Sequence, residues 1–117
     1  MQKLLKPAIA MLFFNHARVV SMHVMWRRQK LASGLNGTAV NLVAVLMESY
    51  EEAGQTKERF IGELGNIKER YLTTRAKDTR AFHQGLFWVV VDKKLDLLNL
   101  EPILRNTIET EILKKIP

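Results

Sequence analysis

The sequence predicts an all-α fold, a compact bundle of about five helices that forms a single domain over residues 1–117. Along most of the chain, apolar residues recur at spacings of three and four, which is the period of one helix face. Short clusters of turn-forming residues separate these periodic stretches. Only residues 86–91 are dense in β-branched and aromatic side chains, and a single strand would have no partner. Helices are therefore expected throughout.

The first helix is expected from Pro7 to about Ala32, because neither Gly nor Pro interrupts that stretch and proline suits a first turn. Two stripes at helical spacing, on opposite sides, are both largely apolar. A helix that is apolar on two sides is usually held between neighbours or shared with a partner chain. The first stripe comprises Ile9, Phe13, His16, Val20, Val24 and Arg27, and the second Met11, Phe14, Arg18, Met22 and Met25.

Two further helices are expected after a turn cluster at residues 33–38. The second helix would be capped by Asn36 or Thr38 and would stop at Gly54. The third would begin at Thr56, with close helix contact compensating for its two interior glycines. The buried stripe of the second helix would be Val40, Val43, Ala44 and Met47, and that of the third Phe60, Leu64, Ile67 and Tyr71.

The fourth segment, residues 81–98, contains the most apolar run of the chain. The β-branched residues at 89–91 favour a strand, but helical spacing across the whole segment favours a helix, and we interpret it as a helix. A short fifth helix is expected after Pro102. The apolar side of the fourth helix would comprise Phe82, Leu86, Val89, Lys93 and Leu97, and that of the fifth Leu104, Ile108 and Ile112.

The sequence contains no recognisable catalytic motif. The chain has no cysteine, which excludes disulfides, thiolate metal sites and cysteine nucleophiles. His16 and His23 would lie about 10.5 Å apart on a helix, too far to share one metal ion. No serine has a recognisable nucleophile motif. We expect a protein that is not an enzyme and that uses no cofactor and no metal.

The apolar stretch at residues 7–14 is short of the roughly 20 residues that a membrane span needs. No cleavage site of a secretory signal follows it, so no leader is expected. The sequence therefore predicts a soluble, cytoplasmic protein that does not associate with membranes.

The net charge of +6 is concentrated in the first part of the chain, where residues 1–47 contain six basic residues and no acidic one. A second basic group surrounds the predicted turn between the third and fourth helices, at residues 68–80. Lysine and arginine in such groups neutralise phosphates without reading base sequence. The alternative is a merely solubilising surface. Candidate nucleic-acid-binding residues are Arg18, Arg27, Arg28, Lys30, Arg70, Arg75, Lys77 and Arg80.

The segment Ala81-Phe82-His83-Gln84-Gly85-Leu86-Phe87-Trp88, together with the short, basic, helical character of the chain, resembles the small helical subunit of CRISPR RNA-guided surveillance complexes of the Cascade type. The resemblance implies a subunit of a larger ribonucleoprotein, in several copies beside other protein subunits. It would hold guide RNA and single-stranded DNA by their backbones. Such subunits are separate proteins or are made from within the reading frame of a large subunit.

A different function remains open at the level of sequence. The two-sided apolar first helix would also suit a helical adaptor that docks on a protein partner without nucleic acid. Phosphate binding should weaken steeply with added salt, whereas an apolar interface should not.

Overall fold

The computed structural model describes residues 18–33 and 37–117. These residues form three β-strands followed by three α-helices, which is an α+β fold. The predicted all-α bundle is therefore wrong. The strands are β1 (Arg18–Ser33), β2 (Gly37–Glu52) and β3 (Gln55–Lys68), and the helices are α1 (Arg70–Thr73), α2 (Lys77–Leu98) and α3 (Pro102–Leu113).

The three strands form an antiparallel sheet with β2 in the centre. A two-residue turn joins β2 to β3, and both of its residues, Ala53 and Gly54, have positive φ angles of 53° and 78°. Positive φ at both central residues is what a type I′ hairpin turn requires. Gly54 therefore closes a hairpin and does not stop a helix. Residues 34–36, within the predicted turn cluster, lie outside the described residues.

The predicted first and second helices are wrong where the structure describes them, because residues 18–33 and 37–52 form β1 and β2. The part of the first helix before Arg18 lies outside the described residues. Leu42 and Leu46 point to one face of the sheet, and Val43 and Val45 point to the other, yet all four are buried. Since β2 is apolar on both faces, spacings of three and four find apolar residues in it as readily as a spacing of two.

The predicted third helix is also a strand, and two β-bulges explain its helix-like pattern. The register shifts opposite Ala44/Val45 and Leu46/Met47, so that β3 carries one extra residue at each place. These extra residues, Leu64 and Ile61, turn towards the core with Ile67. Each bulge adds one residue to the two-residue repeat of a strand. The core-facing residues 61, 64 and 67 consequently recur at intervals of three, as in a helix.

The fourth and fifth predicted helices are confirmed as α2 and α3. Pro102 lies in the first turn of α3, as expected, and Ile108 and Ile112 are buried. The side of α2 that faces the core was predicted incorrectly. Its buried residues are Phe87, Val91 and Leu95, whereas four of the five residues expected on the apolar side are at least half exposed: Phe82, Leu86, Val89 and Leu97.

The core lies between one face of the sheet and the pair α2 and α3. Leu42, Ala44 and Leu46 of β2 belong to the same buried cluster as the inner residues of both helices. The Trp88 indole N–H donates a hydrogen bond to the Ile116 carbonyl at 3.1 Å, which ties α2 to the segment after α3. None of the described helices is long and apolar enough to cross a membrane. A single domain over residues 1–117 stays a prediction.

Candidate nucleic-acid interface

The two basic groups of the sequence meet at one end of the sheet. There β1 ends, β2 begins and β3 ends, and Arg28, Leu42 and Ile67 form one cross-strand row. The Glu69 amide donates to the Val40 carbonyl at 2.8 Å, which extends the same pairing to the residue before α1. Strand register therefore places the end of β1 beside the start of the helical region. We call this region, comprising residues 27–30 and 68–80, the basic end.

An ion pair joins the two groups directly. The Arg28 guanidinium donates from Nη2 to Glu69 Oε1 at 3.0 Å and from Nε to Oε2 at 3.3 Å. This hydrogen bond, together with the carboxylate charge, raises the pKa of Arg28 above its ordinary value. The Arg28 side chain is nevertheless 60% exposed. Its outer surface can still contact a phosphate.

Arg27 lies on the other face of the sheet from Arg28, because neighbouring strand residues point to opposite faces. Its Nη2 lies 2.5 Å from Glu63 Oε2, in an ion pair that spans β2. The Arg27 side chain is also about half exposed. Arg27 and Arg28 are thus both paired with carboxylates of their own chain, but neither is buried.

Three other predicted residues have neither an ion pair nor a side-chain hydrogen bond with another described residue. Lys30 is exposed on β1, opposite Val40 of β2. Arg75 is exposed in the link from α1 to α2, and Lys77 is exposed as the first residue of α2. Their full charges face solvent, so they are the most available groups at the basic end.

The remaining predicted residues differ in role. The Arg70 guanidinium lies 5.0 Å from the Tyr71 ring centroid and donates to the Tyr71 hydroxyl at 3.0 Å. Arg80 is half-buried, and its Nη1 donates to the Thr74 carbonyl at 2.9 Å, which fixes the link between α1 and α2. Arg18 starts β1 at the opposite end of the sheet, beside Glu51, and does not join the others. The side chain of Arg18 lies outside the described part.

The sheet is electrically polarised along its strands. The basic end contains eight basic residues against two carboxylates, Glu69 and Asp78, and Glu63 of β3 lies beside it. The opposite end, around the β2–β3 turn, contains four carboxylates and three basic residues: Glu48, Glu51, Glu52 and Glu58 with Arg18, Lys57 and Arg59. An anionic polymer would therefore be attracted to the basic end.

A groove of about 400 Å³ opens at the basic end, between the end of β3 and α2. The Tyr71 and His83 rings stack there face to face, with centroids 3.6 Å apart and planes 9° apart. Phe82 contacts the His83 ring edge-on at 5.2 Å. The lining includes Asn41, Asn66, Lys68, Tyr71, His83 and Phe87. We call this space the Tyr71 groove.

The chain matches no family model, no curated protein and no solved structure. The function must therefore be inferred from the site itself. The helical form that supported the resemblance to the Cascade small subunit does not hold for β1, β2 and β3. Membership of that family stays a prediction, with only the pattern at residues 81–88 behind it.

Lys68 belongs to the second basic group of the sequence but was not named as a candidate residue, and the Tyr71 groove was not foreseen. Lys68 sits two positions before Arg70, so charge clustering alone was enough to find it. The groove depends on the register of β2 with β3 and on the packing of α2. No local pattern of residues predicts either of these. Among the described residues, no group of three or more His, Asp and Glu side chains could hold a metal ion.

Proposed function

We propose that the protein binds the phosphate backbone of RNA or single-stranded DNA at the basic end, without catalysis and without sequence preference. The observation that supports this most strongly is the convergence of two basic groups, separated by about 40 residues of sequence, at one end of the sheet. A merely solubilising surface needs no such concentration of charge. Lysine and arginine at this density neutralise phosphates and release counterions, which drives binding.

The contribution of each basic residue to phosphate binding depends on whether it already has an ion-pair partner. Lys30, Arg75 and Lys77, like Lys68, have no described side-chain partner to compete with a phosphate, so they supply most of the attraction. Arg27 and Arg28 are already partly neutralised by Glu63 and Glu69, and they contribute through the exposed part of their guanidinium groups. Arginine suits this role because its planar fork can hold a phosphate with two hydrogen bonds.

Association with other protein subunits, as the resemblance implies, belongs to the same proposal. The outer side of α2 carries exposed Val89 and Leu97, which is apolar surface of the kind that protein partners cover. The adaptor alternative was based on a two-sided first helix. Residues 18–33 form a strand, so that basis is lost in the described part of the chain.

A pair of matched double variants tests the proposal. Arg75→Glu with Lys77→Glu reverses two charges at the basic end, and Lys93→Glu with Lys94→Glu reverses two exposed charges roughly 24 Å away along α2. Binding of a labelled single strand is measured by mobility shift at low salt. The first variant should lose binding, and the second should retain most of it. Equal losses in both would show that only net charge matters and would contradict a localised site.

A further inference from the structure

We propose that the Tyr71 groove binds an unpaired base of the nucleic acid whose phosphates lie on the basic end. This inference rests on the proposed function and adds to it a preference for single-stranded over double-stranded nucleic acid. A base can enter the groove only when it is free of its partner strand, so the protein would favour single strands over duplexes.

The composition of the groove fits a nucleobase. Tyr71 and His83 supply aromatic lining as one stacked pair, and aromatic side chains hold bases by stacking whatever their identity. Asn41, Asn66 and Lys68 border the groove on the side of the sheet. A volume of about 400 Å³ lies within the range of small-ligand sites.

The position of the groove fits as well. Lys68 lines it and Arg70 lies over the Tyr71 ring, so its mouth is part of the basic end. A strand held there by its phosphates would have its bases within reach of the groove. The Gln84 side-chain amide donates to the Tyr71 backbone carbonyl at 3.1 Å, which holds the backbone of Tyr71, and His83 packs on the Tyr71 ring. The groove is therefore already formed before a base arrives.

A bulky side chain can block the groove without changing charge. Val90 lines the groove and is 44% exposed, so Val90→Trp should fill the space while the core stays intact. Val89 is the matched control, since it is the adjacent residue, is 52% exposed and is not part of the lining. Circular dichroism establishes whether both variants retain the fold.

The experiment compares three labelled probes of equal length at one low salt concentration: a single strand, the same strand made of abasic sites, and a duplex. The unaltered protein should bind the single strand roughly tenfold more tightly than the abasic strand or the duplex. Val90→Trp should abolish this preference, and Val89→Trp should keep it.

The possible failures are distinguishable. If the abasic strand binds as tightly as the intact strand, the groove does not take a base, although phosphate binding at the basic end survives. If Val90→Trp folds and keeps the preference, the base is held elsewhere and the inference is overturned. If neither the intact single strand nor the abasic strand binds at low salt, the proposed function fails and this inference fails with it.

Discussion

The guanidinium of Arg28 and the carboxylate of Glu69 lie 3.0 Å apart, although 41 positions separate them in sequence. This contact connects β1 to the residue that precedes α1, and it brings both basic groups of the chain to one end of the sheet. It also places a negative charge inside the surface that we propose for phosphate binding. Removal of the Glu69 charge should therefore strengthen phosphate binding but weaken the contact between β1 and the residue before α1.

Glu69→Gln should tighten the binding of a single strand, by roughly two- to fivefold at low salt, because Arg28 is released and one repulsive charge is lost. The free energy of unfolding should change little, since the pair is exposed and screened by solvent. Fluorescence anisotropy gives the affinity and urea unfolding gives the stability. Glu58→Gln, at the opposite end of the sheet, is the control and should leave affinity nearly unchanged. Weaker binding by Glu69→Gln would contradict the placement of the site.

Gly65 of β3 packs closely against α2. A Cβ atom at this position would lie 3.1 Å from Val91 Cγ2 and 3.2 Å from Phe87 Cε1. Gly65→Ala should therefore lower the free energy of unfolding by about 1–3 kcal/mol through overpacking. Gly62→Ala is the control, because nothing lies within 4 Å of a Cβ built there. Equal stability of the two variants in urea unfolding would mean that α2 does not pack on β3 at Gly65.

The buried side of α2 can be tested with two leucines of the same helix. Leu95 is fully buried and Leu97 is 67% exposed. Leu95→Ala should lower the free energy of unfolding by about 2–5 kcal/mol, whereas Leu97→Ala should change it little. Urea unfolding distinguishes the two. The reverse order would restore the orientation that helical spacing predicted.

Glu48 is buried beside Arg59 at the acidic end of the sheet, and the two form an ion pair. Arg59→Met should lower the free energy of unfolding by about 3 kcal/mol, because it leaves a buried carboxylate without its countercharge. Lys57→Met breaks an exposed pair with Glu52 and should change the free energy of unfolding much less than Arg59→Met does. Similar unfolding midpoints for the two variants would show that burial of Glu48 contributes nothing to the effect.

The helical half of the fold was predictable because its signals are local. Pro102 marks the start of α3, and residues 77–98 are long enough for helical spacing to outweigh the strand propensity of Val89, Val90 and Val91. The sheet was not predictable from spacing alone. β2 is apolar on both faces, and the bulges at Leu64 and Ile61 change the repeat of β3 from two towards three. The information that spacing lacks is which residues of one strand pair with which residues of the next. That pairing depends on the whole chain.

The candidate site was predictable in its residues but not in its arrangement. Charge alone found Arg27, Arg28, Lys30 and the residues of the 70–80 region. Which of them have carboxylate partners depends on strand register, which brings Glu63 near Arg27 and Glu69 near Arg28. Arg18 carries the same charge, yet register places it at the far end of the sheet.

The most direct test of phosphate binding at the basic end is the salt dependence of single-strand affinity. Anisotropy titrations of the unaltered protein over a series of salt concentrations give the slope of log K against log salt. If at least three phosphates are neutralised, by Lys30, Arg75 and Lys77, the slope should be about −2 or steeper, and Arg75→Glu with Lys77→Glu should flatten it. A slope near zero, or no binding at low salt, would contradict the account.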